Sequence, residues 1–161
     1  MFSKYILVFI FFFGCISIKT LPNVNDVFEN DFISKIEGKL EYSGNPEYLP
    51  KIIENNLMST NLVIYDYSVS YEPANPSDLM AFFNPLIFLG FPIEEHKVIL
   101  KGNLIYENGA KKIDSEVIIS QYRILYNNPN YTEMRKIGLN ELKKNIEFIY
   151  KKSSHSNRIS K

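Results

Sequence analysis

The stretch HKVILKGNLIYENGAKKIDSEVIISQYRILY, residues 96–126, decides the fold class. Val98, Leu100, Leu104 and Tyr106 share one parity, so a strand over His96–Tyr106 puts all four on a single face. Glu107-Asn108-Gly109-Ala110-Lys111 follows, and Asn-Gly accepts the positive φ that a tight hairpin turn demands. A return strand is expected over Ile113–Tyr126. It carries Ile118, Tyr122, Ile124 and Tyr126 on one face, and Val117, Ile119, Gln121, Arg123 and Leu125 on the other. Asn127-Asn128-Pro129 ends it.

Beyond the hairpin, Tyr131–Lys151 reads as a helix. Met134, Leu142, Ile146 and Ile149 form its apolar stripe, Ile137 and Leu139 flank it, and Asn130 or Thr132 can cap it. Lys152–Lys161 is polar and partly basic, which predicts a solvated, disordered tail.

On the other side, Asn61–Tyr71 predicts a strand. Val63, Tyr65, Tyr67, Val69 and Tyr71 face one way; Leu62, Ile64, Asp66, Ser68 and Ser70 face the other. Phe32–Ser43 also alternates, with Phe32, Ile36, Leu40 and Tyr42 opposite Lys35, Glu37, Lys39 and Glu41. After the turn Ser43–Pro46, a helix is expected to start between Pro46 and Pro50 and to end near Asn55–Ser59. Its stripe is Leu49, Ile53 and Leu57, with Ile52 alongside. The expected architecture is therefore α+β: a four-stranded, mainly antiparallel sheet with two helices packed on one face.

The tyrosines Tyr65, Tyr67, Tyr71, Tyr122 and Tyr126 admit two readings. They form a sheet face packed under helices with phenols at the rim, or an amphipathic surface suited to sugar or lipid headgroups. The run LMAFFNPLIFLGFP, Leu79–Pro92, also admits two. It folds over the sheet and completes the core, or it is an exposed apolar contact surface formed by Phe82, Phe83, Leu86, Phe88 and Phe91. It is too short, and too broken by Pro85 and Gly90, to span a bilayer as a helix.

At the N-terminus, Lys4 precedes an apolar stretch from Tyr5 to Phe13, then Gly14 and the single cysteine, Cys15. That apolar stretch has the length of a secretory signal and falls short of the roughly 20 residues of a membrane span. Ile16–Asn30 carries Pro22 and several Asn and reads as a tether. The expected division is residues 1–14 signal peptide, 15–30 tether, 31–152 folded domain and 153–161 tail.

The Gly14-Cys15 junction after this run resembles a bacterial lipoprotein signal, with Phe12 and Phe13 standing where that pattern usually has Leu and Ala or Ser. The segment Phe88-Leu89-Gly90-Phe91-Pro92 before the final hairpin resembles a segment of small bacterial envelope lipoproteins that pair a lipidated cysteine with an α+β domain. The resemblance implies cleavage before Cys15 and diacylation of that residue, which anchors the protein to a membrane. It further implies a cell-envelope accessory role toward an envelope protein or a lipid. Ile16 stands where some lipoproteins carry an inner-membrane retention Asp, so the outer membrane is the expected site. Two alternatives compete: a buried structural cysteine packed as a small hydrophobe, and an uncleaved single-pass anchor extending through Ile16 and Ile18.

With 18 basic and 18 acidic residues the chain is formally neutral, and removal of residues 1–14 takes away only Lys4. That balance argues against a nucleic-acid protein, which needs a basic face. A lone cysteine forms no internal disulfide. No H-E-x-x-H, C-x-x-C, P-loop or G-x-S-x-G pattern occurs. Glu94-Glu95-His96 is the one cluster with metal-ligating residue types, but neighbours on a strand point to opposite faces. His155 falls in the tail, and Asp66 and Asp114 are strand residues with no evident nucleophile to orient. The expectation is a binding protein with no catalytic activity, cofactor or metal. An envelope hydrolase using His96 is the least favoured alternative.

Overall fold

A computed structural model describes residues 16–22, 35–73, 94–123 and 128–159. Its elements are β1 (Ile16–Leu21), β2 (Ile36–Glu41), β3 (Ile53–Asn55), β4 (Leu62–Glu72), β5 (Glu94–Tyr106), β6 (Lys111–Arg123) and one α-helix, α1 (Tyr131–Ile159). They build a six-stranded sheet in the order β1-β6-β5-β4-β2-β3, curled into a half-barrel. The pairs β1–β6, β6–β5 and β5–β4 are antiparallel, whereas β4–β2 and β2–β3 are parallel. The expected four-stranded, mainly antiparallel sheet with two helices is thus corrected: among the described residues the sheet has six strands, is mixed, and carries one α-helix.

The hairpin forms as its residues require. β5 and β6 pair without interruption from Glu94↔Arg123 to Tyr106↔Lys111. Glu107, Asn108 and Gly109 all take positive φ, at 53°, 54° and 90°. Such a turn strains residues with a Cβ, and side-chain bonds hold the two that have one. The Glu107 carboxylate accepts from Lys111 Nζ at 2.6 Å, and Asn108 Oδ1 accepts from Leu62 N at 2.8 Å, tying the tip to the start of β4.

α1 covers β5 and β6. Val98, Leu100 and Leu104 from β5, and Ile113, Val117 and Ile119 from β6, are buried against Met134, Leu139, Leu142 and Ile146 of the helix. Full burial of each such side chain contributes about 1.5–3 kcal/mol before entropy is charged against it. Gly102 lies beneath the helix. A Cβ there would meet Ile146 Cδ1 at 3.0 Å and Leu142 Cδ2 at 3.1 Å, so the absent side chain sets how near α1 sits. Asn130 caps the helix, its Oδ1 accepting from Glu133 N at 3.2 Å.

Three local expectations are corrected. The helix expected after Pro46 is a single 3-10 turn, Pro46–Tyr48, followed by β3. The 3-10 turn is fastened to α1 by Lys143 Nζ, which donates to Glu47 O at 3.2 Å; just after the turn, Lys51 N donates to Glu147 Oε1 at 2.6 Å. Adjacent Ile52 and Ile53 are both buried, while Leu57 is 77% exposed, so the helical stripe is not realised. Residues 16–21, expected within the tether, form β1 instead, paired with β6 from Ile16↔Gln121 to Leu21↔Glu116. The helix expected to stop at Lys151 runs on to Ile159, because nothing between those residues is a Gly or Pro that would break it. No helix among the described residues is long and apolar enough to cross a membrane.

Candidate functional site

The register of the sheet brings several chain ends together. Ile16 opens β1 opposite Gln121, Glu94 opens β5 opposite Arg123, and β4 closes at Glu72 opposite Lys97. The first residue of α1, Tyr131, lies over the same end. His96 Nδ1 and Tyr131 Oη are 2.6 Å apart, and the Tyr71 ring meets the Tyr131 ring edge-on at 5.6 Å and 87°. β4, β5 and α1 therefore each contribute one ring to a single aromatic group.

His96 and Glu95 do not converge. Glu95 sits opposite Tyr122 on the other face of the sheet, and its carboxylate pairs with Lys97 Nζ at 3.2 Å. Burial pushes that carboxyl up, but hydrogen bonds from Ser120 and Lys97 outweigh it and hold the group below its usual range. Among the described residues no cluster of three His, Cys, Asp or Glu side chains could hold a metal ion.

Further along the covered face, Tyr42, Tyr65 and Tyr67 form a second aromatic group. Ring centroids lie 5.2 Å apart for Tyr42–Tyr65 and 6.3 Å apart for Tyr65–Tyr67. Tyr42 Oη donates to Asn45 O at 2.7 Å. Burial and then the neighbouring Tyr67 push the Tyr42 phenol up to about 12. Tyr65 is 2% exposed, and its hydroxyl has no hydrogen-bond partner among the described residues. Burial raises that phenol further still.

The opposite, open face carries a shallow trough of about 560 Å³ across β4, β5 and β6. Two cross-strand rows build it: Asp66, Asn103 and Asp114, then Ser68, Lys101 and Glu116. Its charges are largely answered within it. Lys101 and Glu116 approach to 3.9 Å, Lys112 and Asp114 to 3.1 Å, and Asp66 Oδ1 accepts from Tyr67 N at 2.8 Å.

The residues singled out from sequence fare unequally. Cys15 and the apolar set Phe82, Phe83, Leu86, Phe88 and Phe91 lie outside the described residues, as do Tyr126 and the rest of Leu79–Pro92. Tyr65, Tyr67 and Tyr71 share the covered face as their alternation requires, while Tyr122 lies on the open one. Asp66 and Asp114, far apart in the chain, fall in one row. Sequence reasoning missed Asn103, Lys101 and Tyr131. Only strand register could have grouped the first two, and only the docking of α1 the third.

Among the described residues, fold and surfaces define one α-helix packed on a curled mixed sheet, with an aromatic group at one end. No known protein family, curated protein or solved structure matches the chain.

Proposed function

We propose that this protein is a lipid-anchored binding module of the bacterial cell envelope, held to the outer membrane through acylated Cys15 and acting as an accessory to other envelope components rather than as a catalyst. Its contact surface in this reading includes Phe82, Phe83, Leu86, Phe88 and Phe91. The supporting observation is the position of Cys15. It follows a signal-like apolar run and immediately precedes Ile16, the first residue of an exposed edge strand. Acyl chains on Cys15 contribute about 0.8 kcal/mol for each methylene buried in lipid.

The test is the intact mass of the protein taken from cell membranes, with and without Cys15→Ser. A chain starting at Cys15 and heavier by its acyl groups, absent from the variant, is the expected result. An unmodified full-length chain would instead make the N-terminus an uncleaved anchor.

A further inference from the structure

We infer that the end of the sheet bearing Ile16, Tyr71, Tyr122 and Tyr131 faces the bilayer, so that the domain stands end-on with its strands along the membrane normal. The inference rests on the lipid-anchor reading of Cys15 and adds an orientation to it.

Four observations carry it. First, there is no spacer. Ile16 is already paired with Gln121, and the Cα atom of Cys15 lies about 3.8 Å before that of Ile16 along the chain. An acyl group on Cys15 therefore pins this end of the sheet, not a flexible lead, to the lipid surface. Second, the exposed large side chains at this end suit a lipid interface. Ile16 is 37%, Tyr71 47% and Tyr122 40% exposed. Tyrosine settles at headgroup level, with its ring in the apolar layer and its hydroxyl in water.

Third, Tyr71 and Tyr122 lie on opposite faces of the sheet. Apolar contact thus girdles the end instead of occupying one face, which suits a domain planted on its end and not one laid on its side. Fourth, the chain leaves β4 at Glu72 and re-enters β5 at Glu94, both at this end.

The far end carries the exposed hairpin tip, Glu107–Ala110, with Lys111 and Lys112 after it, beside the exposed Leu57 and Met58 of the loop that enters β4. With 13 residues in β5, at about 3.3 Å each, that tip stands roughly 40 Å from the anchored end.

The experiment uses the full acylated chain in vesicles of phosphatidylethanolamine and phosphatidylglycerol containing a headgroup-linked quencher. Single variants Glu72→Cys, Thr132→Cys and Ala110→Cys, all at exposed positions, carry a thiol-linked fluorophore. The Cys15 sulfur is not labelled, because it is committed to the lipid. Quenching several-fold stronger at 72 and 132 than at 110 is expected. Equal quenching at the two ends, or stronger quenching at 110, would overturn the orientation while flotation with the vesicles leaves the anchor standing. Protein that fails to float at all would defeat the anchor reading and this inference together.

Discussion

The two halves of β4 share a strand and an alternation, yet they live in different surroundings. Leu62 to Ile64 are sandwiched between β2 and β5, and Val63 and Tyr65 are buried. From Asp66 onward the described sheet continues on the β5 side alone. Tyr67 and Val69 are half-buried, and Tyr71 is exposed. The alternation fixes which way each side chain points, and the neighbours decide how much water it loses. The rings of Tyr71, His96 and Tyr131 group beside the half that has fewer neighbours.

The sharpest way to break this contrast is to place one charge at matched positions. Val63→Asp buries an unpaired carboxylate and is expected to cost more than about 4 kcal/mol, enough to unfold the domain. Val69→Asp, on the same face, is expected to cost only about 1–2 kcal/mol. Urea denaturation of both variants reads the difference, and equal costs would erase it. Truncating the tyrosines makes a milder comparison: Tyr65→Ala should lose about 3–4 kcal/mol and Tyr71→Ala less than about 1 kcal/mol.

Removing only the phenol oxygen should reverse the sign. Tyr65 keeps a buried hydroxyl with no partner among the described residues, so Tyr65→Phe is expected to gain about 1 kcal/mol, whereas Tyr71→Phe should leave stability within about 0.5 kcal/mol. The thermal midpoints of the two variants test this.

The last effect is silent at neutral pH. In the folded chain Tyr42 keeps its proton up to about 12, against an ordinary value of 10.0. In that window unfolding releases a proton. Stability therefore falls as pH rises from about 10 through about 12, and is unaffected below. Tyr65→Phe removes one contributor and should flatten the decline. A profile as steep as that of the parent protein would mean the buried phenol is not involved.

How much of this was legible beforehand depends on how local the cause is. Asn108-Gly109 sits in its turn, and the alternation of β4, β5 and β6 gives their faces, because backbone sterics and period-two burial act within a few residues. Ile16-Ser17-Ile18-Lys19-Thr20-Leu21 also alternates, but as an edge strand it is mostly exposed, and its strand partner among the described residues, β6, lies about a hundred residues on. Leu49, Ile52, Ile53 and Leu57 have helical spacing, yet prolines at 46 and 50 and the parallel pairing of β3 with β2 override it. For the candidate site, the shared face of Tyr65, Tyr67 and Tyr71 was readable. The rows Asp66–Asn103–Asp114 and Ser68–Lys101–Glu116, and the approach of Tyr131 to His96, arise only once strands and helix have docked.

The placement of β1 also sets an order of assembly. β5 and β6 close across a turn of a few residues, whereas β1 must find a partner made about a hundred residues later. Loop closure over so long a span carries the larger entropic cost and comes slowly. A chain that emerges N-terminus first therefore has β1 unsealed and waits for residues 116–121 before that edge can shut. Any truncation before Glu116 strands β1 with its backbone groups open to whatever strand it meets next.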